Sequence, residues 1–482
     1  MSKTILLKKK IEEFDVAAAM LPQIDEPVIA ASAAVTKKVI GDGSGIYADY
    51  TNKIAFSDLA LNLDFIGPSV RDSEYHYWCT SVVYAEEDQK YHMFTSRVPS
   101  DIEFGKGWRN ACEIAHFVAD IPEGPFGEVG TVFDNEDFKQ YGWDAASPHN
   151  SRITKIDGKY CLLFMIQTPE GDYKNSSTVL AVSDSVNGGW KIIDNGEGKG
   201  YTIPAYGNEG QSRETNNADI LKVGGKYHIY FRSAISGYAQ FYVAISDKLE
   251  GPYEIQPEPV TNNTNNNEDL EAFEWNGKYY LLADDNFGSV TGVNAAGILY
   301  SSRDGLHFDT ADALIGFADL DEYIEVPDGS TNSYGYSDPS HNEYAKHERP
   351  CLLMINGVPA YFYAPSGVNI DGNNACMTYV YKVKKLPKYE VSIAENLKNG
   401  TLEFAVQDDN EVVDIHTAGG GYQTQDVTIK AVPDEGYMLV PGSIKATDQN
   451  GNDIEITDDG KFAMPRGGVA VTADFVVCRN LS

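Results

Sequence analysis

Positive charge is scarce in this chain: 38 Lys and Arg stand against 71 Asp and Glu, for a net charge of −33. That balance excludes nucleic acid and anionic lipid as expected partners, because every phosphate contact would oppose the protein's own field. Long apolar runs are also lacking. None reaches the ~20 residues that cross a bilayer as a helix, so membrane insertion is not expected. The start, Met1-Ser2-Lys3-Thr4-Ile5-Leu6-Leu7-Lys8-Lys9-Lys10, has charge but no extended apolar stretch and does not read as a secretory leader. The chain is expected either to work inside the cell or to begin after a removed leader. The cysteines Cys79, Cys112, Cys161, Cys351, Cys376 and Cys478 include no close Cys-x-x-Cys pair. That spacing gives no support for a zinc ribbon and leaves disulfides unassigned. Aromatic residues, by contrast, are plentiful, with 30 Tyr. That is the composition of a folded, β-rich protein and not of a disordered one.

A repeated phrase organises the middle of the chain. Gln89-Lys90-Tyr91, Gly158-Lys159-Tyr160, Gly225-Lys226-Tyr227 and Gly277-Lys278-Tyr279 each open an apolar, strand-like run, and Gly357-Val358-Pro359-Ala360-Tyr361 is a weaker fifth copy. Second phrases close later strands with turns: Ile121-Pro122-Glu123-Gly124-Pro125-Phe126, Ser185-Val186-Asn187-Gly188-Gly189-Trp190, Lys248-Leu249-Glu250-Gly251-Pro252-Tyr253, and a shorter Arg303-Asp304-Gly305-Leu306-His307-Phe308. Self-similarity at this period, built from strands and Gly/Pro turns, is the mark of a β-propeller. Each unit is a small sheet that cannot bury its faces alone. The expected fold is all-β, a five-bladed β-propeller followed by a small C-terminal β domain.

Three segments are expected: an N-terminal lead-in over 1–40, helical or loosely ordered; the propeller over 41–386; and a β domain over 389–482. The polar inserts 262–267 and 328–346 read as loops framing one mouth of the tunnel. After Lys384-Lys385-Leu386-Pro387 the chain loses Trp and turns to short strands with Gly-rich turns. The change of character predicts few contacts across that junction and a dispensable tail.

Each blade's innermost strand lies just before its Lys-Tyr phrase. Polar residues there point toward the tunnel mouth: Trp78-Cys79-Thr80-Ser81, Trp143-Asp144 with His149-Asn150, Arg213-Glu214-Thr215-Asn216-Asn217, Glu268-Asp269-Leu270-Glu271, and His347-Glu348-Arg349-Pro350. Carboxylates, imidazoles, guanidiniums and an indole converging at one depth make a polar pocket with stacking surface, which suits a sugar. The plainer alternative is that these groups cap strands and tie blades together. His149, His341 and His347 invite a metal reading, but no His-x-x-x-His on a helix and no tight acidic cluster supports it. Cys79, with no base placed beside it, reads as an inert inner-strand residue.

On these blade phrases and on Glu268-Asp269, residues 70–385 resemble the five-bladed propeller glycosidases of glycoside hydrolase families 43 and 117. The resemblance implies a general acid about eight residues before a blade's Asn-Gly turn, and counting back from Asn276-Gly277 lands on Glu268. Asp269 would raise its pKa by like-charge repulsion. Two departures stand out. The family's base Asp, in an Asp-Pro-Ser phrase, is replaced here by Cys79-Thr80-Ser81, and its pKa-tuning Asp by Asn217. Asp144 is the first choice as base, with Glu113 and Glu348 in reserve. Trp78 is the expected stacking platform, and His149, Asn150, Arg213, Asp269, His347, Glu348 and Arg349 are expected to hold the sugar.

The implied activity is acid/base cleavage of a terminal sugar from an oligo- or polysaccharide, with inversion. The alternatives are a non-catalytic glycan-binding propeller and a metal-dependent carbohydrate lyase or esterase. No cofactor is expected, a structural divalent cation in the tunnel being the one exception allowed. The C-terminal phrases Ala431-Val432-Pro433-Asp434-Glu435-Gly436-Tyr437 and Phe462-Ala463-Met464-Pro465 resemble the divergent internalin B-type repeat of Gram-positive surface proteins. That resemblance implies a spacer or adhesion role.

Overall fold

The turn that precedes each Lys-Tyr phrase sets the geometry of a blade. Asp157-Gly158, Gly224-Gly225, Asn276-Gly277 and Asn356-Gly357 all have positive φ at both positions, between 51° and 85°. They join strands paired at Ile156↔Lys159, Val223↔Lys226, Trp275↔Lys278 and Ile355↔Val358. Two left-handed residues in a two-residue hairpin match the right-handed twist of the strands, which is why Asn, Asp and Gly occupy these sites. The second strands, such as Lys159–Gln167, are buried along almost their whole length. They read as unbroken apolar runs because both faces pack against neighbouring sheets.

The computed structural model describes residues 35–38, 53–143, 146–167, 175–207, 213–235, 237–293, 296–333, 345–408 and 411–478. Most of the expected lead-in, together with Asp144 and His341, lies outside them. Among the described residues the propeller is five four-stranded antiparallel sheets. Blade 1 holds Tyr75–Ala85, Lys90–Pro99, Glu113–Ala119 and Gly127–Phe133. Blades 2, 3 and 4 begin with the inner strands His149–Ile156, Asn216–Val223 and Asn267–Trp275. Blade 5 runs outward from Cys351–Ile355 through Val358–Ser366 and Met377–Val383 to Leu63–Pro68. The N-terminal strand therefore closes the last blade, with Leu63 paired to Val383. The sequence repeats do not reveal this closure, since that strand carries no Lys-Tyr phrase.

Residues beyond Leu386 form a second β unit with two four-stranded sheets and its own core around Leu402, Phe404, Val427, Phe462, Val471 and Phe475. The expectation of few contacts across the junction is corrected. Arg303 makes a two-pronged pair with Asp426 at 2.5 and 2.9 Å, and Lys278 donates to the Thr424 carbonyl at 3.0 Å. Arg466 reaches Asp58 at 2.9 Å and the Phe56 carbonyl at 2.8 Å. Trp275 packs on Tyr422 with ring centroids 4.9 Å apart. The unit is fastened to the turn side of blades 4 and 5, away from the strand starts that converge on the axis. A chain ending at Lys388 would uncover Trp275, Tyr280 and the buried stem of Lys278. We therefore expect it to melt at a lower temperature and to aggregate on size-exclusion chromatography. An unchanged melting curve and a monomeric peak would show that the interface contributes nothing.

Candidate functional site

Five residues hold the key backbone positions: Cys79, Asn150, Asn217, Asp269 and Arg349 all lie in the left-handed region, with φ between 41° and 60°. In the first four blades the strand register shifts at this point, between Trp78 and Ser81, His149 and Arg152, Asn216 and Asp219, and Glu268 and Glu271. A non-glycine residue in this conformation costs about 1–3 kcal/mol and persists where its surroundings demand it. Here the same left-handed position recurs in or just before every inner strand. It stacks three rings of side chains on the axis: the residue before the bulge, the bulge itself, and the residue two beyond it.

The deepest ring stitches the blades together. Ser81 accepts from the Ile153 amide at 3.0 Å, Asp219 from Ala272 at 2.8 Å and Glu271 from Leu352 at 2.6 Å. Each contact reaches the same amide of an adjacent or neighbouring inner strand. Arg152, 2% exposed, lies 3.5 Å from Asp219 and 3.8 Å from Glu271. It also donates to the Pro350 carbonyl at 2.7 Å. In the middle ring Cys79 donates to Asn150 Oδ1 at 2.8 Å, and Asn217 donates to Asp269. Arg349 is wholly buried and donates to the carbonyls of Leu270, Asn150 and Ala218 at 3.0, 3.1 and 3.0 Å. The tunnel is thus plugged by two guanidiniums that take up the inward-facing carbonyls.

Only the top ring opens outward. Trp78, His149 and Asn216 are buried, whereas Glu268 keeps 27% of its side chain exposed and Glu348 keeps 13%. These two glutamates occupy the same register on adjacent blades. A polar bridge links them: Asn286 donates to Glu268, while Lys346 donates to Asn286 Oδ1 at 2.8 Å and to Glu348 at 2.9 Å. On the blade 3 side, Arg232 pairs with Glu214 at 2.7 Å and lies 3.7 Å from Glu268. Asp284, fully buried beneath them, is 3.5 Å from Lys346.

The electrostatics reverse one expectation. Burial and the nearby carboxylates of Glu268 and Glu348 push Asp269 up to about 7. Glu268 moves the other way: burial works against its charge, but Arg232, Lys346 and the Asn286 hydrogen bond outweigh it and hold the carboxyl below its usual range. The proton of this adjacent pair therefore rests on Asp269, because the cations face Glu268. Burial also pushes Glu271 up to about 8 and Asp284 well above the ordinary carboxylate range.

A raised carboxyl binds its proton in the folded chain where the unfolded chain, near pH 4, has already lost it. Its contribution to stability is complete below about pH 4 and falls as pH rises through the folded value. Asp269→Asn removes that loss for one group. The urea midpoint of the variant relative to wild type is expected to climb between about pH 4 and pH 7. A constant offset across this window would show that Asp269 is ionised throughout.

Several residues named from sequence are placed elsewhere in the assembly. Trp78 is buried and packs against Phe104 with ring planes tilted by 39° and centroids 4.6 Å apart, so it offers no open ring. The aromatic surface beside His149 is instead the half-buried Trp108, stacked at 5.2 Å on the short helix Phe104–Asn110. His149 sits between thiols, 3.3 Å from Cys112 and 4.0 Å from Cys79. Burial and Arg349 lower it to about 3, so it is neutral. His347 bridges to Ser366 at the inner edge of blade 5, with its nitrogens engaged by the Pro365 carbonyl at 3.2 Å and the Tyr381 hydroxyl at 2.6 Å. Arg213 is exposed and donates to the Ala205 carbonyl. Glu113, on the third strand of blade 1, pairs with Arg97 at 2.5 Å. Among the described residues, no group of three His, Cys, Asp or Glu is arranged to hold a metal ion. Arg232, Lys346, Asn286, Asp284 and Trp108 were not named from sequence. Asp284 and Arg232 carried a usable signal, as charges ending otherwise apolar second strands.

No family model matches the chain, and no curated protein is similar to it in sequence. Solved structures are similar in fold. One is a family 117 glycoside hydrolase from the marine bacterium Zobellia galactanivorans, 16% identical at a TM-score of 0.45, covering 68% of this chain and 91% of that one. Another is a thermostable family 43 glycoside hydrolase, 13% identical at a TM-score of 0.42, covering 70% and 93%. A third is a family 43 β-xylosidase/α-arabinofuranosidase from a compost metagenome, in complex with xylotriose. It is 13% identical at a TM-score of 0.43, covering 66% and 94%. The β-propeller itself stands on the chain's own five four-stranded sheets.

Proposed function

We propose that this chain is a glycoside hydrolase that removes a terminal sugar from an oligo- or polysaccharide. The observation that supports it most is the pair Glu268 and Glu348. They are two partly exposed glutamates at one register on adjacent blades, bridged by Asn286 and Lys346, with a proton held beside them on Asp269. Glycosidic cleavage needs one carboxyl to protonate the leaving oxygen and a second to activate water or attack carbon. In this reading the Glu268–Asp269 pair delivers the proton and Glu348 serves as base. That gives the reserve carboxylate the role first assigned to Asp144. Trp108 supplies the aromatic wall.

A panel of aryl glycosides and oligosaccharides, with and without a chelator, tests the reading. Turnover that survives the chelator supports it, and turnover abolished by the chelator favours the metal-dependent lyase or esterase. A specific observation favours a glycan-binding protein as the second reading. The bulge positions of blades 1 and 3 carry a thiol and an amide, Cys79 and Asn217, where the resemblance implies carboxylates. Binding without turnover across the panel would support that alternative.

A further inference from the structure

The loop after the second strand of blade 4 is built with unusual rigidity for a surface turn. Asp285 is fully buried, and its carboxylate accepts from the backbone amides of Ser289, Val290 and Thr291 at 3.2, 2.9 and 2.8 Å. It accepts as well from the Thr291 hydroxyl at 3.0 Å and the Asn267 amide at 3.1 Å. One carboxylate thus fixes the whole turn from its inner side, since buried charge of this kind is tolerated only when its lone pairs are filled. The turn points two consecutive side chains in opposite senses. Asn286 turns inward and joins Glu268 to Lys346, and Phe287 turns outward with 52% of its surface exposed. The clamped turn thereby holds the Phe287 ring half in water, next in sequence to the residue that bonds Glu268.

We propose that Phe287 is a binding platform for the sugar on the leaving-group side of the scissile bond, which makes the preferred substrate an oligosaccharide with a neutral pyranose at that position. This rests on the glycosidase reading above. A proton donor at Glu268 must face the glycosidic oxygen, so the leaving sugar lies on the same side of the pocket as Glu268, Asn286 and the residue that follows. The ring offers a flat, apolar face to the C–H face of a pyranose. The chain's net charge of −33 opposes a sulfated or uronic sugar there. Phe287 takes no part in bond making; it positions the leaving sugar.

The test compares wild type, Phe287→Ala and Phe287→Tyr on neutral oligosaccharides and on the corresponding glycosyl fluorides, which carry no leaving sugar. An aromatic contact of about 0.5–1.5 kcal/mol corresponds to roughly two- to tenfold. For Phe287→Ala the ratio of oligosaccharide to fluoride kcat/KM is expected to fall by that factor, with the change in KM, and Phe287→Tyr should restore it. Calorimetry on the Glu268→Gln protein with the same oligosaccharides separates the two levels of the argument. Failure of any oligosaccharide to bind or turn over overturns the glycosidase reading and the platform together. Binding and turnover with an unchanged ratio in Phe287→Ala overturns the platform alone. A loss confined to sulfated or uronic oligosaccharides would overturn the stated substrate class.

Discussion

Glu268→Gln is expected to lower turnover on sugars with poor leaving groups by at least about a hundredfold, the scale of general acid catalysis. An activated aryl glycoside should lose much less, because its leaving group scarcely needs a proton. Asp269→Asn is expected to follow the same pattern for a different reason. The pair holds one proton between a carboxyl that Arg232 and Lys346 keep charged and a carboxyl that burial keeps neutral. Removing the neutral member leaves Glu268 without the proton it must pass on. Wild-type activity should therefore fall as pH rises through about 7, where Asp269 ionises. Equal losses on poor and activated leaving groups would take both residues out of the acid role.

Arg349→Met is expected to be the most destabilising single change in the propeller. Its guanidinium donates to three carbonyls from three blades, and among the described residues Arg152 is the other buried guanidinium on the axis. Deleting it strands the Asn150 and Ala218 carbonyls, leaves the Leu270 carbonyl to Arg152 alone at 3.3 Å, and removes a cation from the vicinity of Asp269 and Asp219. Each orphaned polar group costs on the order of 1–3 kcal/mol, and the combined loss on breaking a buried charged network is roughly 3–5 kcal/mol. The urea midpoint should drop accordingly. Arg349→Lys should recover only part of it, since one ammonium cannot span three carbonyls as the planar fork does. A wild-type midpoint for Arg349→Met would mean that the axis is held by the blades alone.

The propeller was legible because its repeat is a local signal. In blades 2 to 4 each Lys-Tyr pair follows a two-residue turn whose left-handed positions are held by Asn, Asp or Gly, and hairpin chemistry of that kind is written in adjacent positions. The five inner-strand clusters were legible for the same reason, and from them the structure brings Cys79, Asn150, Asn217, Asp269 and Arg349 to one axis. Depth was not legible. Whether Arg349 faces a sugar or a set of carbonyls depends on a bulge that moves it one ring inward, and the bulge shows only in the backbone angles. Nor was it legible that Phe104 covers Trp78 in the outward ring or that Tyr381 engages His347, since both partners lie far along the chain or in another strand.

The reversed proton on Glu268 and Asp269 came from Arg232 and Lys346. These lie at other positions along the chain, on the blade 3 second strand and just ahead of His347, and sequence adjacency gives no hint of their reach. The junction after Leu386 misled through composition. A change of residue usage marks a separate unit, but it does not report the ion pairs, such as Arg303 with Asp426, that fasten it.

The central claim is that the top ring breaks glycosidic bonds with carboxyls from two adjacent blades. Reducing-sugar release from neutral oligosaccharides, measured for wild type, Glu268→Gln and Glu348→Gln alongside calorimetric binding of the same sugars, tests it most directly. The account predicts release by wild type, at least about a hundredfold less from either variant, and binding retained in all three. Binding without release by wild type, or release by Glu348→Gln at the wild-type rate, would contradict it.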